Sequence, residues 1–139
     1  MKLSVKSDYA ARAVLSLARR FDQPEPTRLE EIAAENHLPP GYLVQILLEL
    51  KAHRIVRSSR GKDGGYRLTR PPAEISLGDV LRCVHGKLFD TPALTNPQCP
   101  PELRESWDLL QSEVELAANR IHFQQILDTG ADRARMFYI

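Results

Sequence analysis

Apolar residues recur every three or four positions through most of the chain, and two short segments flanking a turn suit strands. The first pattern is typical of helices that pack on one side. The predicted helices are 7–21, 27–36, 40–53, 76–86 and 102–123, and the predicted strands are 55–60 and 66–69. A glycine-rich turn, 61–65, joins the strands and supplies the positive-φ residues of a hairpin.

Local signals mark where several of these helices begin and end. Thr27 and Glu30 have the spacing of a capping box, in which each side chain accepts from the backbone N–H of the other. Asn36 tolerates the left-handed conformation that ends a helix. Ser76, with Asp79 three residues later, is placed to cap the fourth helix.

Helix, short helix, turn, longer helix and hairpin follow one another in the order of a winged helix-turn-helix. We therefore predict a mainly α fold with a small β-hairpin wing. The predicted organisation is a winged domain over 1–86, a Pro-rich loop over 87–101, and a long helix with a tail over 102–139. The apolar end of that tail, 136–139, is expected to pack against the rest of the chain.

The last predicted helix carries an apolar seam whose members are spaced 4, 3, 4, 3 and 4 residues apart. These residues are Leu103, Trp107, Leu110, Val114, Ala117 and Ile121. A heptad-type seam usually packs along another helix, often its own copy in a second chain. We predict a homodimer interface here, and packing on the chain's own first domain is the alternative.

Charge is distributed unevenly along the chain, although the net charge of the 139 residues is only +1. Residues 1–70 hold 13 Lys and Arg against 8 Asp and Glu, whereas 71–139 hold 6 against 10. A basic stripe beside an acidic half is typical of a DNA-binding head joined to a body that does not bind DNA. A solvated basic face is the alternative.

The outer face of the third helix is uncharged, which suits a helix that lies in the major groove of DNA. Gln45 can pair bidentately with adenine, and Gly41 allows the helix N-terminus to approach a phosphate. Tyr42 can donate its hydroxyl to a phosphate. In the wing, Arg60 is placed to enter a narrow minor groove.

Other function classes find little support in the sequence. Cys83 and His85 are two positions apart on a helix, so they face different ways and cannot act as a nucleophile and its base. No P-loop, dinucleotide fingerprint or zinc spacing is present. No membrane segment or signal-peptide core is recognised, so we expect a cytoplasmic protein that is not an enzyme.

Three stretches resemble the Rrf-type winged-helix transcription regulators, the IscR/NsrR/CymR family. They are 2–10, 42–47 and, most specifically, the wing 56–68; 75–80 continues the match, which covers roughly 1–127. The resemblance implies a homodimeric regulator, expected to be a repressor, on a palindromic operator in double-stranded DNA. The expected DNA contacts are Lys2, Lys6, Tyr9, Gly41, Tyr42, Val44, Gln45, Lys51, Arg57, Ser58, Arg60, Lys62 and Arg67.

The chain departs from this family at the sensor loop and at one recognition position. Sensor members hold an iron–sulfur cluster with three cysteines in the loop, whereas 87–101 contains only Cys99. Val44 stands where the iron–sulfur regulator has a glutamate that discriminates between sites. We therefore expect no cluster and no metal, and an effector or protein partner of unknown identity. The alternative is a redox or iron–sulfur sensor that uses Cys99, in a loop expected to be exposed, with non-cysteine ligands such as Asp8.

Overall fold

A computed structural model describes residues 2–137. The elements in chain order are α1 (Val5–Arg19), α2 (Leu29–Asn36), α3 (Pro40–Ala52), β1 (Val56–Ser59), β2 (Gly65–Leu68), α4 (Leu77–Val84), α5 (Pro101–Arg120) and α6 (Phe123–Phe137). Short 3₁₀ turns, Pro72–Glu74 and Pro92–Leu94, precede α4 and α5. The predicted mainly α fold with a hairpin wing is confirmed.

The first two helices begin at other residues than predicted. Ser4 caps α1 by accepting from the Ser7 N–H at 3.2 Å, so the helix starts at Val5. The predicted capping box at Thr27 is wrong, because the main chain of Thr27 pairs with Tyr66 of the wing at 3.0 and 2.7 Å. The N-cap of α2 is instead Arg28, which makes no side-chain cap bond.

The turn between α2 and α3 uses a different left-handed residue from the one predicted. His37, not Asn36, has positive φ, at 55°. The amide of Asn36 donates to Ser16 Oγ at 2.6 Å and to the Ile32 carbonyl at 2.9 Å. Asn36 thereby ties the end of α2 to α1.

The wing is a two-stranded antiparallel hairpin in which Val56 pairs with Leu68 and Ser59 with Gly65. Only one glycine of its turn, Gly61, has positive φ, at 100°. The others are needed for close approach: a Cβ on Gly65 would lie 2.5 Å from the Thr27 carbonyl oxygen. The conformational role predicted for the whole turn therefore falls to Gly61.

One hydrophobic core joins α1, α2, α3, the wing and α4. Val14, Ile46, Leu50 and Val80 are fully buried in it. Phe123, at the start of α6, is 1% exposed and belongs to the same core. The core therefore extends past the predicted domain boundary at residue 86, and the start of α6 packs on the winged domain, 1–86.

The last predicted helix, 102–123, is two helices. α5 ends at Arg120, and Ile121 is extended. The Leu77 N–H donates to the Ile121 carbonyl at 2.8 Å, and the Phe123 N–H donates to the Ile75 carbonyl at 3.0 Å. Ile121, the last residue of the predicted seam, therefore lies outside the helix that carries the others.

The apolar tail does not pack as expected in the part that the structure describes. Met136 and Phe137 are 77% and 88% exposed at the end of α6. The remaining two residues of the predicted apolar end, 138–139, lie outside the described residues, as does residue 1.

Candidate nucleic-acid interface

Helix α3 has one buried face and one exposed face. The buried face consists of Leu43, Ile46, Leu47 and Leu50, all fully inaccessible. The exposed face carries the predicted DNA contacts Gly41, Tyr42, Val44 and Gln45, together with Leu48. The sequence prediction of an uncharged outer face on a helix anchored by its other side matches this arrangement.

Tyr9 of α1 supports Tyr42 of α3. Their rings meet edge to face, with centroids 5.7 Å apart, an arrangement that aromatic pairs favour. The Arg12 guanidinium lies 5.7 Å from the Tyr9 ring centroid. Tyr9 is half-buried, so it orients Tyr42 more directly than it offers a surface to DNA.

Lys6, predicted as a DNA contact, pairs with Glu49 on α3. Lys6 Nζ donates to Glu49 Oε1 at 2.5 Å, and both side chains are partly exposed. Glu49 is the only acidic residue of α3. Lys6 therefore offsets the single negative charge on α3. Lys2, the other predicted N-terminal contact, is exposed.

The wing lies against the C-terminal end of α3. Lys51 Nζ donates to Ser58 Oγ of β1 at 2.8 Å. Arg57, Arg60 and Lys62 are all exposed on the hairpin. The Arg28 side chain donates to the main-chain carbonyl of Lys62, which ties the tip of the wing to the start of α2. These contacts hold the exposed Lys and Arg residues of the wing beside the uncharged face of α3.

Arg67 differs from the other predicted DNA contacts of the wing. It is half-buried, and its Nη1 donates to the Gln23 carbonyl at 2.8 Å, in the loop after α1. Its cross-strand partner is Arg57. The described contact of Arg67 braces the wing against the loop.

Three contributors were missed from the sequence. Leu48 is 53% exposed on the outer face of α3, and its helical spacing from Gly41 and Gln45 was a usable signal. Arg28 contacts the wing tip, which lies far from it in the chain, so no local pattern could have shown that contact. Arg12 lies three residues after Tyr9 on the same helix, so helical spacing was a usable signal for their contact.

Helix α5 is twenty residues long, and none of them is buried. Part of the predicted seam packs within the chain: Trp107 stacks on Phe89 with centroids 6.1 Å apart. Val114, Ala117 and Ile121 line an apolar groove of about 190 Å³ together with Leu3, Leu77, Leu81, Leu88 and Ala118. Leu103 and Leu110 are exposed, as are Leu109 and Leu116, which the seam does not include.

The two cysteines lie in different surroundings. Cys99 is 8% exposed, so the expectation of an exposed loop thiol is wrong. Arg104 secures the loop by donating to the carbonyls of Asn96 and Cys99 at 2.8 and 3.0 Å. Cys83 packs against the core, as expected of a small core residue. Burial, together with the charge of Glu49, raises the pKa of the Cys83 thiol to about 11.

The donor set suits an iron–sulfur cluster poorly. Among residues 2–137, no three His, Cys, Asp or Glu side chains lie close enough to hold a metal ion. A cluster is normally held by four ligands, mostly thiolates. Asp8, the candidate non-cysteine ligand, pairs with Arg12 at 2.8 Å. The residues present therefore do not fit such a group.

A family model described as Rrf2, iron-dependent transcriptional regulator, matches residues 3–129. The chain belongs to the Rrf2 family. This confirms the resemblance carried by the wing motif. The family is one of transcriptional regulators, not of enzymes, as the sequence predicted. Within residues 2–137, none of the helices is both long and apolar enough to cross a membrane.

Curated Rrf2 relatives cover the chain to different extents. The regulator CymR of Bacillus subtilis is 31% identical over 100% of both chains. Two Mycobacterium tuberculosis chains, described as candidate HTH-type transcriptional regulators, are 46% identical over 88 residues and 63% of this chain. That match spans about half of each Mycobacterium protein, 54% of its length.

Solved structures of Rrf2 proteins share the fold. CymR of B. subtilis, described as a global cysteine regulator, has a TM-score of 0.80 and 27% identity, covering 93% of this chain and 98% of its own. IscR of T. potens has a TM-score of 0.75 and 30% identity, covering 94% and 88%. The chain therefore shares its fold with these two proteins over nearly its whole length.

Proposed function

We propose that this Rrf2 protein is a homodimeric repressor that binds a palindromic operator in double-stranded DNA. The observation that carries the proposal is the exposed, uncharged face of α3 held beside a wing of exposed basic residues. Uncharged side chains can read the edges of nucleobases, while the Lys and Arg side chains alongside hold phosphates.

Specific roles follow from this arrangement. Gln45 reads an adenine in the major groove, and Val44 and Leu48 contact thymine methyl groups. A Cβ on Gly41 would meet nothing within 4 Å, so the chain's own packing does not require glycine there. Glycine at that position instead suits close approach of a phosphate to the N-terminus of α3. Arg60 enters the minor groove, where the potential is most negative in narrow A-tracts.

Gel-shift titration on an operator defined by footprinting tests these roles. Arg60→Ala and Gln45→Ala should each weaken binding of the dimer at least tenfold, since each removes a contact worth about 1–3 kcal/mol from both half-sites. Gln45→Ala should also relax the preference at one base pair of each half-site. Arg133→Ala, on the exposed end of α6, is the matched control. Unchanged affinity in both interface variants would contradict DNA binding by this face.

The homodimer rests on α5. No side chain of this twenty-residue helix is buried, and Leu103 and Leu110 of the seam are exposed to water. Other seam residues, Val114 and Ala117, line an apolar groove together with Leu3, Leu77 and Leu81. Soluble monomers seldom expose large apolar patches. A second copy of α5, which carries the same leucines, is the partner that matches this surface.

Regulation without an iron–sulfur cluster is also part of the proposal. Its support is the donor set, in which the sensor-position loop offers one cysteine and that cysteine is buried. An ultraviolet–visible spectrum of protein purified without oxygen tests it. We expect no absorbance of iron–sulfur type. Such absorbance, if lost in Cys99→Ala, would establish the alternative of a sensor that uses Cys99 with non-cysteine ligands.

A further inference from the structure

Asp79 lies in the first turn of α4 and pairs with two arginines, Arg70 after the wing and Arg82 further along α4. Its Oδ2 accepts from the Ser76 N–H at 2.9 Å and pairs with Arg70 Nη2 at 3.3 Å. Its Oδ1 pairs with Arg82 Nη2 at 3.1 Å. Burial alone would raise the pKa of Asp79, but Ser76 and the two arginines lower it overall. Both carboxylate oxygens are thus occupied by fixed partners.

Arg70 carries this connection to the wing. It lies two residues after the end of β2, and its Nε donates to the Glu74 carbonyl at 3.0 Å. Its Nη1 donates to the carbonyl of Arg54, just before β1, at 3.4 Å. The Thr69 hydroxyl donates to the same carbonyl at 2.5 Å. Both ends of the hairpin are therefore tied to Asp79 through one guanidinium.

Arg82 carries the connection to α5. Its Nη1 contacts Glu115 Oε2 at 3.0 Å and Asn119 Oδ1 at 2.8 Å, while Nη2 holds Asp79. A planar guanidinium that uses both nitrogens fixes direction as well as distance. The helices also approach closely here, since a Cβ on Gly78 would lie 2.2 Å from Asn119 Oδ1.

We propose that Arg82 and Asp79 are positioning residues that fix the winged domain relative to α5. They thereby set the spacing between operator half-sites that the dimer accepts. This rests on the proposed dimer and DNA binding. Because α5 is about 30 Å long at 1.5 Å per residue, a tilt of about 6° displaces a head by about 3 Å. That is close to one base-pair step along the duplex, about 3.4 Å.

The test is a spacing series measured with the full chain. Operators are built with the two half-sites at the native separation and one or two base pairs closer or further apart. Wild type should prefer the native spacing at least tenfold. Arg82→Gln should prefer it less than threefold, while its affinity for a single half-site stays within threefold of wild type. The charge control Arg133→Gln should retain the wild-type profile.

A second variant removes the acceptors from the other side of the contact. Glu115→Ala combined with Asn119→Ala leaves the head sequence unchanged and should flatten the profile in the same way. This variant decides the matter if Arg82→Gln does not fold. An unchanged profile, or a half-site affinity that falls as much as that for the full operator, overturns the inference. A wild type that binds no DNA overturns the proposed function instead.

Discussion

The thiol of Cys83 donates a hydrogen bond to the main-chain carbonyl of Glu49, with Sγ and O 3.3 Å apart. This contact joins α4 to α3. Burial and the charge of Glu49 raise the pKa of the thiol to about 11 against an ordinary value of 9.0, although Lys6 acts in the opposite direction. The raised pKa therefore lowers the small fraction of reactive thiolate at neutral pH below that of an ordinary cysteine.

We expect Cys83 to react slowly with iodoacetamide, because the thiolate is the nucleophile. In Cys99→Ser protein at pH 8, a pKa of about 11 lowers the thiolate fraction about a hundredfold relative to an ordinary cysteine. The alkylation rate measured against pH should have its midpoint near pH 11. The same protein unfolded in urea serves as control, and a folded midpoint near 9 would contradict this account.

The raised pKa also has a consequence for stability. The unfolded thiol ionises near pH 9, whereas the folded thiol keeps its proton until about pH 11. The contribution of Cys83 to the free energy of unfolding is therefore present below pH 9 and decreases between pH 9 and 11. Denaturant titrations of wild type and Cys83→Ala over this range measure it. The difference between the two should shrink as the pH rises.

Charge placed on the exposed face of α5 should separate the proposed dimer. Leu103 and Leu110, two members of the predicted seam, are 45% and 43% exposed in one chain. Leu103→Glu combined with Leu110→Glu should produce monomers in analytical ultracentrifugation, since burying an unpaired carboxylate is costly. Met136→Glu, at a 77% exposed position on α6, is the control. Dimers that persist in the α5 variant would place the interface elsewhere.

Removal of the Phe123 ring should destabilise the head, although Phe123 lies far along the chain from it. Phe123 is 1% exposed in the shared core. Phe123→Ala should lower the free energy of unfolding by about 3–5 kcal/mol, measured by urea denaturation. Phe137→Ala, at an 88% exposed position, should change it by less than about 0.5 kcal/mol. A small effect at Phe123 would mean that α6 is dispensable for the core.

Lys62 and Arg60 should affect DNA binding differently. Lys62→Ala should reduce the slope of log affinity against log salt by about 0.9 per protomer, because one phosphate contact is lost. Its effect should be similar on operator and unrelated DNA. Arg60→Ala should weaken operator binding more than non-specific binding. Titrations at several salt concentrations on both DNAs distinguish them, and equal selectivity losses would contradict the assigned roles.

Features that depend on neighbours in the chain were predictable from the sequence. Ser76 and Asp79 form the capping box that caps α4, with bonds of 3.1 and 2.9 Å. The buried stripe of α3 and its uncharged opposite face follow from helical spacing. The hairpin and its family resemblance rest on consecutive residues as well. These features require only local geometry, which the order of residues carries.

Features that depend on distant parts of the chain were decided by the tertiary structure. Thr27 pairs with the wing rather than capping α2, because its backbone N–H and C=O find partners on Tyr66. The long C-terminal helix breaks at Ile121, because the Ile121 carbonyl accepts from the Leu77 N–H, the Phe123 N–H donates to the Ile75 carbonyl, and the Phe123 ring fills the core. Lys6 meets Glu49 and Arg82 meets Glu115 across helix contacts. Helical periodicity specifies which face of a helix is apolar, whereas its partner depends on how the whole core packs.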